Sequence, residues 1–150
     1  MSLPLQVYRI TSDATLPTRA YDSSAAYDLY ASLRREGRDF TTTIPPRGNR
    51  VIGTGLVMLA PPGHVLLICS RSGLAVRSVF VTNAPGVIDP DYVGEIKVIL
   101  YNGGLEPHYV KHGDRIGQAL VLPLPNVQLV ETSKLPDSER GSRGFGSTGD

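Results

Sequence analysis

The chain has 150 residues, with 15 basic against 14 acidic and a net charge of +1. That length suits one domain burying about 68–70% of its unfolded surface without crosslinks, and the balanced charge excludes a general attraction to nucleic acid or anionic membrane. One cysteine, Cys69, excludes a disulfide framework and is expected as a buried, reduced thiol. No apolar run approaches the roughly 18 residues of a membrane span and no charged-then-apolar leader opens the chain, so a cytoplasmic protein without membrane or nucleic-acid partners is expected.

Sixteen glycines and twelve prolines break the chain into short runs rich in Val, Ile, Leu and Tyr, which predicts an all-β sandwich or jelly roll. Leu5 to Ile10 reads as the first strand. Thr18 to Glu36 is the one long window free of Gly and Pro, and Tyr21, Ala25, Leu29 and Leu33 recur every fourth residue, the pattern of an amphipathic helix. Phe40 to Ile44 alternates as a strand and Pro45 to Gly48 turns. Val51 to Leu59 is a strand whose Gly53 and Gly55 signal a bulge or the close approach of another backbone. Val65 to Cys69 is continuously apolar and is predicted to be buried on both faces.

That strand ends in Ser70-Arg71-Ser72-Gly73 before one helical turn. Free backbone N–H groups beside a hydroxyl and a guanidinium make a small anion site; a capped turn with a surface arginine is the alternative. Twelve of the 15 basic residues are arginine, whose fork grips phosphate oxygens in pairs, so a small phosphorylated ligand is a reasonable candidate. Val79 to Val81 leads to Gly86–Asn102, where an Asp-Pro-Asp-Tyr bend separates two β-rich runs and predicts a hairpin. Asp89 and Asp91 should face opposite ways, one toward a site and one toward water; a solvated turn is the alternative. His108 and His112 follow in a loop with no third ligand nearby and are not read as a metal site. Gly113–Gln118 is a polar turn opening the strand Ala119 to Leu122, and Val127 to Val130 is expected to be the last strand. Residues 1–135 then form the folded domain, and 136–150 a flexible glycine-rich arm. Composition alone makes that arm plain disorder, or a lid ordering over a nucleotide with arginines for phosphate and Phe145 for a base.

Five stretches in order, AYDLYAS (Ala26–Ser32), RSGLA (Arg71–Ala75), NAPGVIDPDYVGEI (Asn83–Ile96), GDRIGQ (Gly113–Gln118) and RGSRGFGSTG (Arg140–Gly149), resemble the motifs of the homotrimeric dUTPases. The resemblance implies a distorted jelly-roll (β-clip) subunit with Tyr27 to Ala31 as a strand in place of the helix. It also implies hydrolysis of dUTP to dUMP and pyrophosphate with Mg2+, in a homotrimer with three active sites at subunit boundaries. Asp89 matches the general base that orients water for attack on the α-phosphorus, and Asp28 a residue reaching magnesium through its waters. Arg71, Ser72 and Gln118 match phosphate-binding residues, joined in the arm by Arg140, Ser147 and Thr148. Asn83 and the backbone through Gly86, Val87, Ile88 and Val98 match the uracil pocket, Tyr92 the wall against deoxyribose, and Phe145 the ring stacked on uracil. The arm is expected to reach a neighbouring subunit.

Ala26, Ser70, Gly117 and Arg143 depart from the residues usual at their motif positions, without removing a group the chemistry needs. Two other functions stay open on sequence: a dCTP deaminase, for which Glu95 is the only glutamate of the hairpin, and a nucleotide-binding relative without turnover. If Asp89 is the base, it should share a pocket with Arg71 and Gln118.

Overall fold

Glycine and proline set the strand lengths in the computed structural model, which describes residues 3–35, 37–139, 141, 142 and 144. Arg140, Arg143, Phe145, Ser147 and Thr148 lie outside the described residues. Among the described residues the elements are β1 (Gln6–Arg9), β2 (Tyr27–Tyr30), β3 (Arg34–Arg35), β4 (Arg38–Asp39), β5 (Thr41–Ile44), β6 (Gly48–Gly53), β7 (Leu56–Leu59) and β8 (His64–Cys69). They continue with α1 (Ser72–Ala75), β9 (Val79–Val81), β10 (Gly86–Ile88), β11 (Lys97–Asn102), β12 (His108–Lys111) and β13 (Arg115–Pro123). The Pro45 to Gly48 turn closes with the Gly48 N–H donating to Pro45 O at 3.1 Å, and the next proline turn has the His64 N–H donating to Pro61 O at 3.1 Å.

The strands form an all-β distorted jelly roll. A four-stranded sheet runs β10-β8-β13-β2, a three-stranded sheet β6-β11-β9, and three pairs complete the fold: β1-β7, β12-β5 and β3-β4. Leu29, Leu66, Ile116, Ile52, Val98 and Leu100 are at most 1% exposed and meet between the two larger sheets. There β13 lies so close to β11 that a Cβ added at Gly117 would stand 3.4 Å from Val98 Cγ1. Among the described residues no helix is long and apolar enough to cross a membrane.

Several expectations change. The four-residue spacing of Thr18 to Glu36 makes no helix: Tyr21 is 76% exposed, Leu29 is fully buried and Leu33 packs only partly against the core. Pairing with β13 wins over helical periodicity, and Tyr27–Tyr30 is the strand that the family resemblance implied. Val51 to Leu59 divides at Thr54-Gly55 into two strands that join different sheets. Both glycines answer to close approach: Gly55 has φ +68° with Thr11, Ala14 and Ser32 crowding its open side, and the Glu95 carboxylate occupies the space a side chain at Gly53 would need. β8 buries one face only, Leu66 and Ile68, and Cys69 is half-buried rather than buried.

Gly86–Asn102 is not a paired hairpin. β10 pairs with β8, while β11 pairs with β6 and β9, so the bend joins strands of two sheets. The expected loop at His108 is strand β12, held by β5. Val127 to Val130 forms no strand, and Val127, Leu129 and Val130 are 77%, 99% and 74% exposed. Among the described residues no strand pairs with that segment.

Candidate active site

Strand alternation builds the first half of the site. Asp28 on β2, Gln118 on β13 and Cys69 on β8 stand in one row of the sheet. Their neighbours Leu29, Ala119 and Ile68 point the other way, at most 2% exposed. The row opens into a cleft of about 530 Å³ lined by Asp28, Cys69, Arg71, Ser72, Arg115 and Gln118, among others. Residues from the first, second and fourth motifs therefore meet, as expected for Asp28, Arg71, Ser72 and Gln118.

Arg71 is the N-cap of α1, with extended backbone and no side-chain capping bond, so its guanidinium is free to swing over the sheet. It donates from Nε to Asp28 Oδ1 at 2.8 Å, and Arg115 donates from Nη1 to Asp28 Oδ2 at 3.3 Å. The Asp28 and Arg71 side chains are only 14% and 23% exposed, so the pair is shielded and its geometry is fixed before any ligand arrives. Gln118 Nε2 donates to Ser70 O at 2.9 Å, and Ser70 Oγ accepts from the Val81 N–H at 2.9 Å. Ser70 thus ties β8 to β9, a bond that proline at this position would not make.

Arg115 is the residue that sequence reading missed. Asp114 Oδ2 accepts the Lys111 N–H at 2.8 Å, while Arg115 turns to Asp28. Its place opposite Tyr30, across an irregular register, is a tertiary fact without a local signal. A smaller cleft of about 260 Å³ shares Arg71 and Arg115 and adds Arg77, His108 and Asp114. Burial, and next the Arg77 charge, hold His108 below its ordinary pKa.

The second half of the site is elsewhere. Ile88 pairs with Leu66, so Asp89 follows at the level of Val65, about 13 Å of strand from Cys69 at 3.3 Å per residue. Asp89 does not line the 530 Å³ cleft. The shared pocket expected of Asp89, Arg71 and Gln118 is not formed within one chain, because β10 and β8 are antiparallel and carry their functional ends in opposite directions. Asp89 and Asp91 are both exposed, contrary to the expected division between site and solvent.

Around the bend, Gly86 is buried against Ile68 with Asn83 Nδ2 over its open side, Ile88 is half-buried, and Val87 and Tyr92 are 62% and 42% exposed. Val98 is fully buried, so its side chain belongs to the core rather than to a ligand surface. Tyr92 Oη donates to Glu95 O at 3.1 Å. Glu95 itself accepts the Gly55 N–H at 2.9 Å and lies 3.5 Å from Lys97 Nζ. A carboxylate committed in this way is not a free acid or base, which weighs against the deaminase reading.

Among the described residues no group of three or more His, Cys, Asp or Glu could hold a metal ion. His112 Nδ1 instead accepts the Leu33 N–H at 3.1 Å.

The sequence model of the dUTPase family matches residues 12–149. The chain belongs to the dUTPase family. It is accordingly an enzyme, a hydrolase. It is 43% identical over 154 residues to the deoxyuridine 5'-triphosphate nucleotidohydrolase of Methylocella silvestris, covering 99% of this chain and 94% of that one. Its fold matches a mutant dUTPase of Staphylococcus bacteriophage 80alpha, solved with dUpNHpp, at a TM-score of 0.85, 24% identity, and 98% and 99% coverage of the two chains. A mutant dUTPase of phage phi11 of S. aureus, described with a structural Mg(II) ion, matches at a TM-score of 0.77 and 20% identity, over 89% of this chain and 99% of that one.

Proposed function

We propose that the chain hydrolyses dUTP to dUMP and pyrophosphate in active sites that no single copy completes. One observation carries the reading: in a chain of the dUTPase family, the cleft of Arg71 and Gln118 and the bend of Asp89 lie at opposite ends of β8. A site needing both draws them from different copies, in a homotrimer with three sites at subunit boundaries. The exposed Val127, Leu129 and Val130 support association, since an apolar segment left in water is stabilised by a neighbour's surface.

In this reading the phosphates enter the cleft, where Arg71, Ser72, Gln118 and also Arg115 bind their oxygens. Asp28 acts first as the anchor that aims both arginines. Asn83, Gly86, Val87 and Ile88 of another copy read the uracil, with Val98 as the buried footing of the next strand, and Tyr92 closes against the deoxyribose. The Asp89 carboxylate accepts a proton from a water whose oxygen bonds to the α-phosphorus as the bond to the bridging oxygen breaks; pyrophosphate leaves with that electron pair. Charge moving onto pyrophosphate is met by arginines already in place, so little reorganisation is needed during the reaction. The arm 136–150 brings Arg140, Ser147 and Thr148 to the γ-phosphate and Phe145 to the uracil ring.

Asp28 suits a magnesium ion only through that ion's waters: each carboxylate oxygen holds one arginine and keeps capacity for a second hydrogen bond. Magnesium bound to the triphosphate would supply further charge neutralisation. Acting on a soluble nucleotide, the enzyme would work in the cytoplasm. The test is pyrophosphate release from dUTP, dTTP, dCTP and UTP, with and without magnesium. Release from dUTP alone is expected; ammonia from dCTP, or no turnover of any nucleotide, would overturn the reading.

A further inference from the structure

Glu95 closes the bend that carries Asp89, and its carboxylate is seated on the link between β6 and β7, beside the strand that pairs with β11. Oε1 accepts the Gly55 N–H at 2.9 Å, a bond strengthened by the full charge on the acceptor. The seat is shaped for it. Gly53, paired with Lys97 across the ladder, leaves free the space that the carboxylate enters, and Gly55 takes φ +68° to turn its N–H toward it. Lys97 Nζ stands 3.5 Å from Oε2 on the outer side, and the Glu95 side chain remains 27% exposed. Beyond Glu95 the chain is fixed at once: Ile96 O accepts from Thr54 Oγ1 at 2.7 Å, and the Ile96 N–H donates to Leu56 O at 2.8 Å.

On the other side of Glu95 the bend holds mainly to itself. The Tyr92 N–H donates to Asp89 O at 3.1 Å, and Tyr92 Oη donates to Glu95 O at 3.1 Å, laying the ring over Gly94. Among the described residues, side-chain hydrogen bonds from residues 89–95 to another element run only through Glu95. We propose that Glu95, seated on the Gly53–Gly55 turn, is the positioning residue that fixes where Asp89 and Tyr92 stand. The inference rests on the reading of Asp89 as the base. Glu95 does not touch the reacting atoms; it sets the height and direction of the group that does.

Steady-state kinetics on the full-length chain test this with Glu95→Ala, Glu95→Asp, Glu95→Gln and Asp89→Asn, each with its melting temperature and assembly state. Glu95→Ala should lower kcat for dUTP about 10- to 100-fold with KM changed less than about threefold, the size expected when a reacting group shifts by about 1 Å. Its kcat/KM for dTTP relative to dUTP should rise, because Tyr92 and the pocket wall move with the bend. Glu95→Asp keeps the charge but is too short to reach the Gly55 N–H, so it should resemble Glu95→Ala and serves where the alanine variant does not fold. Glu95→Gln keeps the acceptor and should recover kcat to within about fivefold of the parent. If Glu95→Ala and Glu95→Asp lower the melting temperature but leave kcat within twofold, or if Glu95→Gln is no better than alanine, the inference falls while Asp89→Asn, if inactive, leaves the base assignment standing. An active Asp89→Asn overturns the base assignment itself.

Discussion

The cleft around Asp28 and Arg71 and the Asp89 bend are opposite solutions to presenting a charged group. In the cleft, Asp28 is 14% exposed and both its oxygens are held by arginines, on a row that three strands fix by their register. At the bend, Asp89 is exposed, and the side-chain hydrogen bond that leaves the bend runs from the Gly55 N–H to the Glu95 carboxylate. The cleft is organised before a ligand arrives, which suits binding of a highly charged group. The bend projects its carboxylate outward, which suits completion of a site on another copy.

The sharpest way to break that comparison is to silence the bend. Asp89→Asn should abolish turnover while affinity for a non-hydrolysable dUTP analogue stays within about tenfold, or about 1.4 kcal/mol, as measured by calorimetry. A parallel loss of affinity would make the bend a binding element instead. Next comes complementation. If sites form between copies, Asp89→Asn and Arg71→Ala variants, each nearly inactive, should regain up to about a quarter of parental activity when unfolded and reassembled together, since random mixing pairs an intact bend with an intact cleft in one site of four. No recovery in verified mixed oligomers would mean both halves come from one chain.

Smaller effects sharpen the cleft side. Gly117→Ala should stabilise the fold by about 0.4–1 kcal/mol through reduced freedom of the unfolded chain. Its new Cβ would meet Val98 Cγ1 and Cys69 O at 3.4 Å, which the packing accommodates, and the melting temperature reports the result. His108 gives the smallest change. Its folded pKa lies below the ordinary 6.5, so the unfolded state binds more protons in the window just below 6.5. The stability it contributes is complete above about pH 6.5 and declines as pH falls through that window. His108→Gln should flatten this part of the pH–stability curve, and denaturant midpoints between pH 5 and 7.5 would measure it.

Legibility differed sharply along the chain. Val79 to Val81 and the proline turns were readable because their chemistry is local. Tyr27–Tyr30 was readable only through the family resemblance, since its local spacing is helical and the pairing with β13 that overrides it is not local. The seat for Glu95 was half legible: Gly53 and Gly55 announced a close approach but not what approached. Arg115 was unreadable as a cleft residue because nothing local says that its guanidinium crosses to Asp28.

By itself the sequence determined the all-β class and, through five motifs in order, the family and the chemical groups available. Those follow from composition, turn residues and residue identity, which act at short range. Only the tertiary structure decided that β10 and β11 enter different sheets and that the motifs divide into two separated halves. Strand partnership depends on burial and register between residues far apart in the chain, so no local pattern encodes it.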